Sequence, residues 1–238
     1  MYKKLGIIGG MGPLATYTLY KSLITLHKVQ SDQEHLDMVI LNDPKIPDRS
    51  QAILADGESP LPYIVEDCRI CAAAGCDIIA IPCNTSHYYI DEIQQQSEIP
   101  VLNMVQLVAD SLHRASSQKA YLLATSGTIQ AGIYNKALES QGIELGIPDE
   151  QQRAFLMNLI YAIKAGEYPD TTKLAEHIHT VLESGFSHII LGCTELSLLV
   201  SELLDKGIAP DQLIDSTEVL AKAILERFDP LYAADSAS

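Results

Sequence analysis

Two cysteines of this 238-residue chain, Cys83 and Cys193, occupy matching places in two similar stretches of sequence. Each follows a short apolar run, and each is followed by small polar residues, Asn84 and Thr85 in one stretch and Thr194 in the other. A thiol can carry a proton, and the thiolate that remains after the proton leaves is a base and a nucleophile. Two thiols on opposite sides of a site would therefore suit proton removal at one face of a carbon and proton delivery at the other.

The stretches around the cysteines belong to an internal repeat. Residues 74–85 match residues 184–195, with a helix-ending glycine, an apolar strand and the cysteine in the same order. Two further pairs match in the same order, residues 4–13 with 119–128 and residues 100–105 with 212–217. Three ordered matches favour two halves of one topology, related by a pseudo-twofold axis, over a chance similarity of unrelated βα units.

Short apolar runs alternate with amphipathic segments along the chain. The apolar runs predict strands at residues 5–8, 38–41, 78–81, 101–102, 121–124 and 189–191. Helical spacing predicts helices at residues 62–74, 152–165 and 172–184, each stopped by a glycine. Continuous apolar runs are typical of strands covered on both faces, as in parallel sheets. The pattern predicts an α/β fold of two pseudo-symmetric, three-layer α/β/α domains with mainly parallel sheets and an active site in the cleft between them.

The repeat also predicts where the chain passes between the two domains. We expect residues 1–103 and 213–228 to form the first α/β domain, and residues 104–212 to form the second. Residues 229–238 carry no periodic pattern, so we expect a disordered C-terminal tail.

The strand-end position of Cys83 and Cys193 favours a functional role. Ligands of parallel α/β sheets bind beyond the carboxyl ends of the strands. A helix that opens there presents free N–H groups and a positive dipole end, which lower a thiol pKa or hold a carboxylate. The alternative is a small buried hydrophobe, and we keep that interpretation for Cys68, Cys71 and Cys76. Their C-x₂-C spacing has no second ligand pair, so we expect no metal site.

Three segments carry a resemblance to a known family. Residues 83–87 and 192–196 resemble the paired cysteine motifs of the aspartate/glutamate racemase superfamily, and residues 9–13 resemble its first strand-end loop. Glu195 stands where glutamate racemases usually carry His, and His87 closes the first motif, so the chain is most similar to the aspartate racemase branch. The resemblance covers residues 5 to about 228. It implies a cofactor-independent, PLP-independent racemase that interconverts L- and D-aspartate with Cys83 and Cys193, commonly as a homodimer.

The resemblance also implies which residues hold the substrate. Arg49 and Lys164 match basic residues that aspartate racemases place at the substrate, and an arginine can bind a carboxylate bidentately. Alternatively, Arg49 is a solvated loop residue and Lys164 an ordinary cation at a helix C-terminus. The strand-end loops supply the remaining candidates for substrate binding, with ordinary turn chemistry as the alternative for the loop at 125–128. They are Gly10, Met11, Asn84, Thr85, Thr125, Ser126, Thr128 and Thr194.

The neighbours of the two cysteines differ in charge. Glu195, if close, would oppose thiolate formation at Cys193. His87, if protonated and on the same helix face, would favour the thiolate at Cys83. The sequence therefore predicts that Cys83 is the more ionised thiol in the resting protein and that Cys193 holds its proton.

The composition excludes several classes of partner. A net charge of −15 would repel a phosphate backbone or an anionic membrane, so we expect neither nucleic acid nor membrane as a partner. No apolar run approaches the roughly 20 residues needed to span a bilayer, and no secretory signal is evident. Five cysteines, an odd number, fit reduced thiols in the cytoplasm. We therefore expect a cytoplasmic protein, and the negative charge does not exclude the small acidic amino acid that the resemblance implies as substrate.

Other functions compete with racemisation of aspartate. Residues 10–15 satisfy the G-x-G-x-x-A pattern of nucleotide-binding oxidoreductases, but Pro13 lacks a needed N–H and no acidic residue ends a second strand about 20 residues on. A non-catalytic two-lobed binding protein would not need paired thiols. Racemisation of glutamate or of a broader amino-acid set, hydantoin racemisation and maleate isomerisation stay open within the superfamily. A decarboxylase would need a single thiol as proton donor.

Overall fold

The computed structural model describes residues 2–235, which contain two parallel sheets. The first sheet has the order β2-β1-β3 and contains β1 (Lys4–Gly9), β2 (Asp37–Asn42) and β3 (Ile78–Ala80). The second has the order β5-β4-β6-β7 and contains β4 (Lys119–Leu123), β5 (Glu144–Gly146), β6 (His188–Leu191) and β7 (Leu213–Asp215). All of these strand pairs are parallel, and an isolated parallel bridge joins Ile79 to Val101 at the β3 edge.

Helices connect the strands and cover both sheets. In the first half of the chain they are α1 (Pro13–Leu26), α2 (Arg49–Leu54), α3 (Leu61–Ala73), α4 (Ile90–Gln96) and α5 (Met104–Arg114). In the second half they are α6 (Ser126–Gln130), α7 (Asn135–Ser140), α8 (Glu150–Lys164), α9 (Thr172–Glu183), α10 (Val200–Asp205), α11 (Ser216–Phe228) and α12 (Pro230–Asp235). Short 3₁₀ turns lie at Asp32–Glu34, Thr85–Tyr89, Leu196–Leu199 and Pro210–Gln212.

The strand order confirms the predicted duplication. In the first sheet β1 lies between β2 and β3, and in the second sheet β4 lies between β5 and β6, so the first strand of each half is central. The bridge at Val101 lies beside β3 as β7 lies beside β6. The 3₁₀ turns Thr85–Tyr89 and Leu196–Leu199 follow the equivalent strands β3 and β6. Strand β5 was not predicted, because Glu144–Gly146 is too short and too polar to stand out as an apolar run.

Alternate side chains of the central strands enter different core clusters, which makes each sheet the middle of three layers. On β1, Ile7 packs with residues of α1 and α11, whereas Ile8 packs with residues of α3. On β4, Leu122 packs with residues of α5 and α7, whereas Leu123 packs with residues of α8 and α9. Burial on both faces explains why these strands read as continuous apolar runs.

Two helices cross between the halves. Asn103 caps α5 by accepting from the Gln106 N–H at 3.0 Å, and apolar side chains of this helix, such as Val108, join the core of the second sheet. Helix α11 returns, because Leu220 and Ile224 join the core of the first sheet beside α1. Helix α5 therefore follows the last strand position of the first sheet and covers part of the second sheet. Helix α11 follows β7 of the second sheet and covers part of the first.

The C-terminal segment differs from the predicted disorder. Residues 230–235 form the short helix α12, and Tyr232 packs against the cluster that contains α1 and α11, which supplies the apolar contacts that a frayed tail would lack. Residues 236–238 of the predicted tail lie outside the described residues. Within the described part of the chain, no helix has the length and apolar character needed to cross a membrane.

Candidate active site

Cys83 and Cys193 meet at one small cavity between the two sheets. Cys83 follows β3 after two residues, Cys193 follows β6 after Gly192, and each cysteine is 5% exposed. The cavity encloses about 20 Å³, roughly the space of one water molecule. Its lining residues are Met11, Asp48, Arg49, Ser50, Cys83, Asn84, Thr85, Thr125, Lys164, Gly192, Cys193, Thr194 and Glu195.

Most of the site residues chosen from the sequence line this cavity, but three do not. Gly10 lines an adjacent cavity instead. The backbone N–H of Ser126 points to the Met157 Sδ at 3.2 Å. Thr128 is fully buried and does not line the cavity, but its hydroxyl is hydrogen-bonded to those of Thr125 and Thr85, which do.

A larger cavity adjoins the one between the thiols. It encloses about 330 Å³ and shares Asp48, Arg49, Lys164 and Glu195 with the smaller one. An amino acid is larger than one water molecule, so a ligand has to widen the space between the thiols. The four shared residues are all charged, and they lie between the two cavities.

Three threonine hydroxyls form a cluster across the two halves. The Oγ1 of Thr85, in the first half, lies 3.0 Å from the Thr125 Oγ1 and 2.9 Å from the Thr128 Oγ1, both in the second half. Thr125 caps α6 by accepting from the Thr128 N–H at 3.2 Å. Because each hydroxyl can donate one hydrogen bond, such a cluster can turn a donor toward an anionic oxygen in the cavity.

Asn84 and Thr194 also join the halves. The Asn84 Nδ2 donates to the Ser216 Oγ at 2.9 Å, and the Tyr134 hydroxyl donates to the Asn84 Oδ1. The Thr194 Oγ1 donates to the Pro82 carbonyl at 3.4 Å. The polar side chain that follows each cysteine is thus held by the opposite half of the chain or by the start of α11.

Arg49 is a buried cation, not the solvated loop residue considered as the alternative. It is 8% exposed and stands at the first turn of α2, whose start is capped by Asp48. Its guanidinium donates to the carbonyls of Met11 at 3.0 Å, Pro47 at 3.1 Å and Ile46 at 3.3 Å. The buried Nε has no hydrogen-bond partner among the described residues. A buried guanidinium without a carboxylate partner is suited to bind an anion.

Glu195 contacts Cys193, which is the arrangement in which we expect it to oppose thiolate formation. The Cys193 Sγ donates to the Glu195 Oε2 at 3.0 Å, and Glu195 is 2% exposed. Burial, and then the negative charge of Glu195, raise the pKa of the Cys193 thiol well above its usual value. The thiol at Cys193 therefore keeps its proton in this arrangement.

Lys164 faces the same carboxylate from the end of α8. Its Nζ lies 3.7 Å from the Glu195 Oε1, and its side chain is 26% exposed. Burial opposes the charged ammonium group, but the acidic groups of Glu195, Cys193 and Cys83 outweigh it and raise the pKa of Lys164. Lys164 is therefore a charged ammonium group of the site. It pairs with Glu195 in addition to its favourable interaction with the dipole at the C-terminus of its helix.

The hypothesis that His87 favours a thiolate at Cys83 is wrong. The His87 Nε2 accepts a hydrogen bond from the Met104 N–H at 3.0 Å and lies 3.3 Å from the Leu102 carbonyl, while the Nδ1 lies 2.8 Å from the Cys83 carbonyl. Burial lowers the pKa of His87 and keeps the imidazole neutral. The ring fixes the backbone of Cys83 to the start of α5 and places no positive charge beside the thiol.

The glycine loop after β1 is shaped by close packing. Gly10 has a φ of 89°, and a Cβ at this residue would lie 2.3 Å from the carbonyl carbon of Asp43. The Gly10 N–H donates to the Thr16 Oγ1 at 2.9 Å, so this donor is not free for the phosphate of a nucleotide. A Cβ on Gly12 would lie 3.4 Å from the Glu195 Oε1. The loop after β1 therefore lies close to Glu195, on the Cys193 side of the cavity.

Glu195, Asp48 and Tyr134 are site residues that the sequence-based selection left out. Glu195 could have been included from its place two residues after Cys193. No sequence pattern marks Tyr134, which reaches Asn84 from the other half of the chain. The buried Cys68, Cys71 and Cys76 are free thiols in the core of the first sheet, as expected for small hydrophobes.

Comparison with known proteins assigns the chain to a family. The family model for Asp/Glu/Hydantoin racemase matches residues 8–224. The chain is 29% identical to the broad specificity amino-acid racemase RacX of Bacillus subtilis over 229 residues, covering 94% of this chain and 97% of the relative. It is 24% identical to the glutamate racemase of Aquifex pyrophilus, covering 85% of this chain and 77% of that protein.

A solved structure extends the similarity to the whole fold. The aspartate racemase of Picrophilus torridus superposes with a TM-score of 0.82 and 32% identity, covering 97% of this chain and 98% of that one. The chain belongs to the Asp/Glu/Hydantoin racemase family, a family of isomerases.

Proposed function

We propose that the protein interconverts L- and D-aspartate by a two-base mechanism in which Cys83 and Cys193 exchange the roles of base and acid. The observation that carries the proposal is that both thiols, one from each half, line the same cavity. One thiolate removes the α-proton from one face of the substrate, and the opposite thiol delivers a proton to the other face. In the reverse reaction the two roles are exchanged, which two like groups at equivalent strand ends can do.

Polar groups around the thiols would stabilise the intermediate. After the α-proton leaves, the electron pair of the broken C–H bond delocalises into the α-carboxylate, where negative charge increases. We assign the α-carboxylate to the hydroxyls of Thr85 and Thr125, which Thr128 orients from behind, and to the second N–H of the Asn84 amide, since such groups can donate hydrogen bonds to an oxyanion. Thr194 would join them by releasing the Pro82 carbonyl. Gly10, Met11 and Ser126 would shape the surrounding loops. This chemistry uses acid and base groups of the chain, so we propose that no cofactor takes part.

The positive groups favour a dicarboxylic substrate. Arg49 has a buried Nε without a partner, and Lys164 lines both cavities. We assign the side-chain carboxylate of aspartate to these two cations. The similarity to the aspartate racemase of Picrophilus torridus over nearly the full length of both chains favours aspartate over glutamate as that acid.

A broader amino-acid specificity is the second candidate. It is favoured by the similarity to the broad specificity racemase of Bacillus subtilis over nearly the full length of both chains. In a site of this kind, Arg49 and Lys164 would contribute less to substrate affinity. Neutral amino acids would then exchange their α-protons about as well as acidic ones.

Exchange of the α-proton with solvent tests the proposal. The purified protein is incubated in D₂O with single enantiomers of aspartate, glutamate, alanine and serine, and deuterium at Cα is followed by NMR together with chiral chromatography. We expect deuterium incorporation and inversion for both aspartate enantiomers, without added cofactor and in the presence of a chelator. Absence of inversion for every amino acid in the panel would reject a racemase of this kind.

We propose a homodimer, which sedimentation velocity can test, and a cytoplasmic location, which fractionation of the source cells can test. For the homodimer, a sedimentation coefficient of a 26.0 kDa monomer at working concentrations would contradict it.

A further inference from the structure

The side-chain amide of Asn84 has a donor end and an acceptor end, and the cavity needs the donor. Asn84 follows Cys83 directly, is 2% exposed and lines the cavity between the thiols. Turning the amide over would exchange its N–H groups for a carbonyl oxygen, which repels a carboxylate. The contacts that fix the orientation of this amide therefore decide what Asn84 can bind.

Ser216, the first residue of α11, fixes the donor end. Its Oγ donates its one proton to the Leu191 carbonyl at 2.7 Å, and both residues are fully buried. The Oγ can therefore only accept from the amide, and it accepts from the Asn84 Nδ2 at 2.9 Å. With the amide turned over, two acceptors would face each other, or the Leu191 carbonyl would lose this donor. Either change costs a buried hydrogen bond.

Tyr134 fixes the acceptor end. Its hydroxyl donates to the Asn84 Oδ1 and has no other hydrogen-bond partner within residues 2–235. Tyr134 is fully buried, and burial raises the pKa of its phenol, so the hydroxyl keeps the proton that it donates. The Asn84 amide is thus held at both ends, each time by a residue that lies outside the cavity lining.

Building on the proposed racemase function, we propose that Ser216 and Tyr134 are positioning residues that fix the Asn84 amide with its second N–H available to the α-carboxylate of the substrate. This N–H has no acceptor among the described residues. Because negative charge on the carboxylate increases after the α-proton leaves, a fixed N–H stabilises the intermediate more than the bound substrate. Leu191 lies two residues before Cys193, so the strand that carries one thiol orients the amide beside the other.

Tyr134→Phe tests the acceptor end with little change of shape. We expect kcat for aspartate to fall about tenfold and KM to change little, because a loosely held N–H stabilises the intermediate less. Initial rates in both directions, measured by chiral chromatography, give the two constants. Tyr121→Phe is the matched control, because this buried tyrosine donates to the Gln152 Oε1 at 3.3 Å and does not line the cavity. Its kcat and KM should equal those of the wild type.

Ser216→Ala tests the donor end. Loss of this hydroxyl frees the amide to turn over, so we expect kcat to fall about tenfold or more, again with KM little changed. Ser117→Ala is the matched control, because this buried serine also donates to a backbone carbonyl, that of Lys119, but lies away from the cavity. Its kinetics should equal those of the wild type.

A double-mutant cycle separates positioning from general structural damage. If Tyr134 and Ser216 act through the amide, Tyr134→Phe and Ser216→Ala should cause no further loss of kcat in Asn84→Ala. A loss by the same factor with and without Asn84→Ala would show that the two residues act elsewhere and would overturn the inference. Wild-type kcat in Tyr134→Phe would overturn it too.

Neutron diffraction from crystals of the deuterated wild-type protein gives a readout that does not depend on racemase activity or on the folding of a variant. We expect one deuteron of the Asn84 Nδ2 toward the Ser216 Oγ, and the Tyr134 hydroxyl deuteron toward the Oδ1. This result would support the fixed amide even if no amino acid were racemised, which separates this inference from the proposed function. An amide with Oδ1 toward Ser216, or with both orientations present, would contradict it.

Discussion

Arg49 and Lys164 bring two cations to a cavity of an acidic chain, beside the carboxylates of Asp48 and Glu195. The protein carries a net charge of −15, yet both cations line the cavity beside the thiols. Arg49 is held by backbone carbonyls, which orient the guanidinium without neutralising it. The helix dipole favours Lys164, which lies at the C-terminus of α8, whereas it disfavours Arg49 in the first turn of α2, where the backbone carbonyls hold the guanidinium instead.

Neutralising either cation should weaken substrate binding more than it affects folding. A hydrogen bond to a charged group contributes about 1.5–3 kcal/mol, so we expect Arg49→Ala and Lys164→Ala each to raise the KM for aspartate by roughly tenfold to a hundredfold. Initial rates measured by chiral chromatography, with thermal melting in parallel, provide the test. Lys222→Ala is the control, because this exposed lysine pairs with Glu218 on the surface of α11. Unchanged kinetics in both site variants would reject the assignment.

At the scale of elements, the loop after β1 depends on a glycine. Gly10 and Gly75 both have positive φ, but a Cβ would collide with the Asp43 backbone at Gly10 and would meet nothing within 4 Å at Gly75. We expect Gly75→Ala to cost about 1 kcal/mol from backbone strain, and Gly10→Ala to cost about 3 kcal/mol or more and to lose activity. Urea denaturation of both variants checks this. Equal stability of the two variants would show that the close approach to Asp43 is unimportant.

The sequence predicted the elements that place the thiols, because apolar runs and helix-stopping glycines are local signals. The strand-end rule then brought Cys83 and Cys193 to one cleft without any contact information. Side-chain contacts between distant segments could not be predicted in this way. His87 is neutral because burial lowers its pKa, and the Ser126 N–H contacts the Met157 Sδ from a helix 31 residues further along the chain.

At the scale of the whole molecule, the exchange of α5 and α11 binds the two sheets together. We propose a first domain of residues 1–103 and 213–228 and a second of residues 104–212, with α5 and α11 packed against each other. Buried hydrogen bonds such as Asn84 to Tyr134 and Thr85 to Thr125 add to this interface. The two domains are therefore expected to depend on each other for stability.

A single cooperative unfolding transition should follow from this arrangement. In differential scanning calorimetry we expect one peak, with the calorimetric enthalpy equal to the van't Hoff enthalpy of the unit that unfolds. Tyr134→Phe, which removes a hydrogen bond between the halves, should lower the midpoint and keep one peak. Two resolved transitions, or a separation of one peak into two in Tyr134→Phe, would indicate domains that unfold independently.

The most direct test of the account concerns the separate roles of the two thiols. Cys83→Ala and Cys193→Ala are each incubated in D₂O with L-aspartate or D-aspartate, and deuterium at Cα is measured together with inversion. Each substitution removes the proton carrier of one face, so both variants should lose net racemisation. Each should still exchange the α-proton of one enantiomer, and the two variants should prefer opposite enantiomers. Full racemase activity in either alanine variant would contradict the two-thiol mechanism.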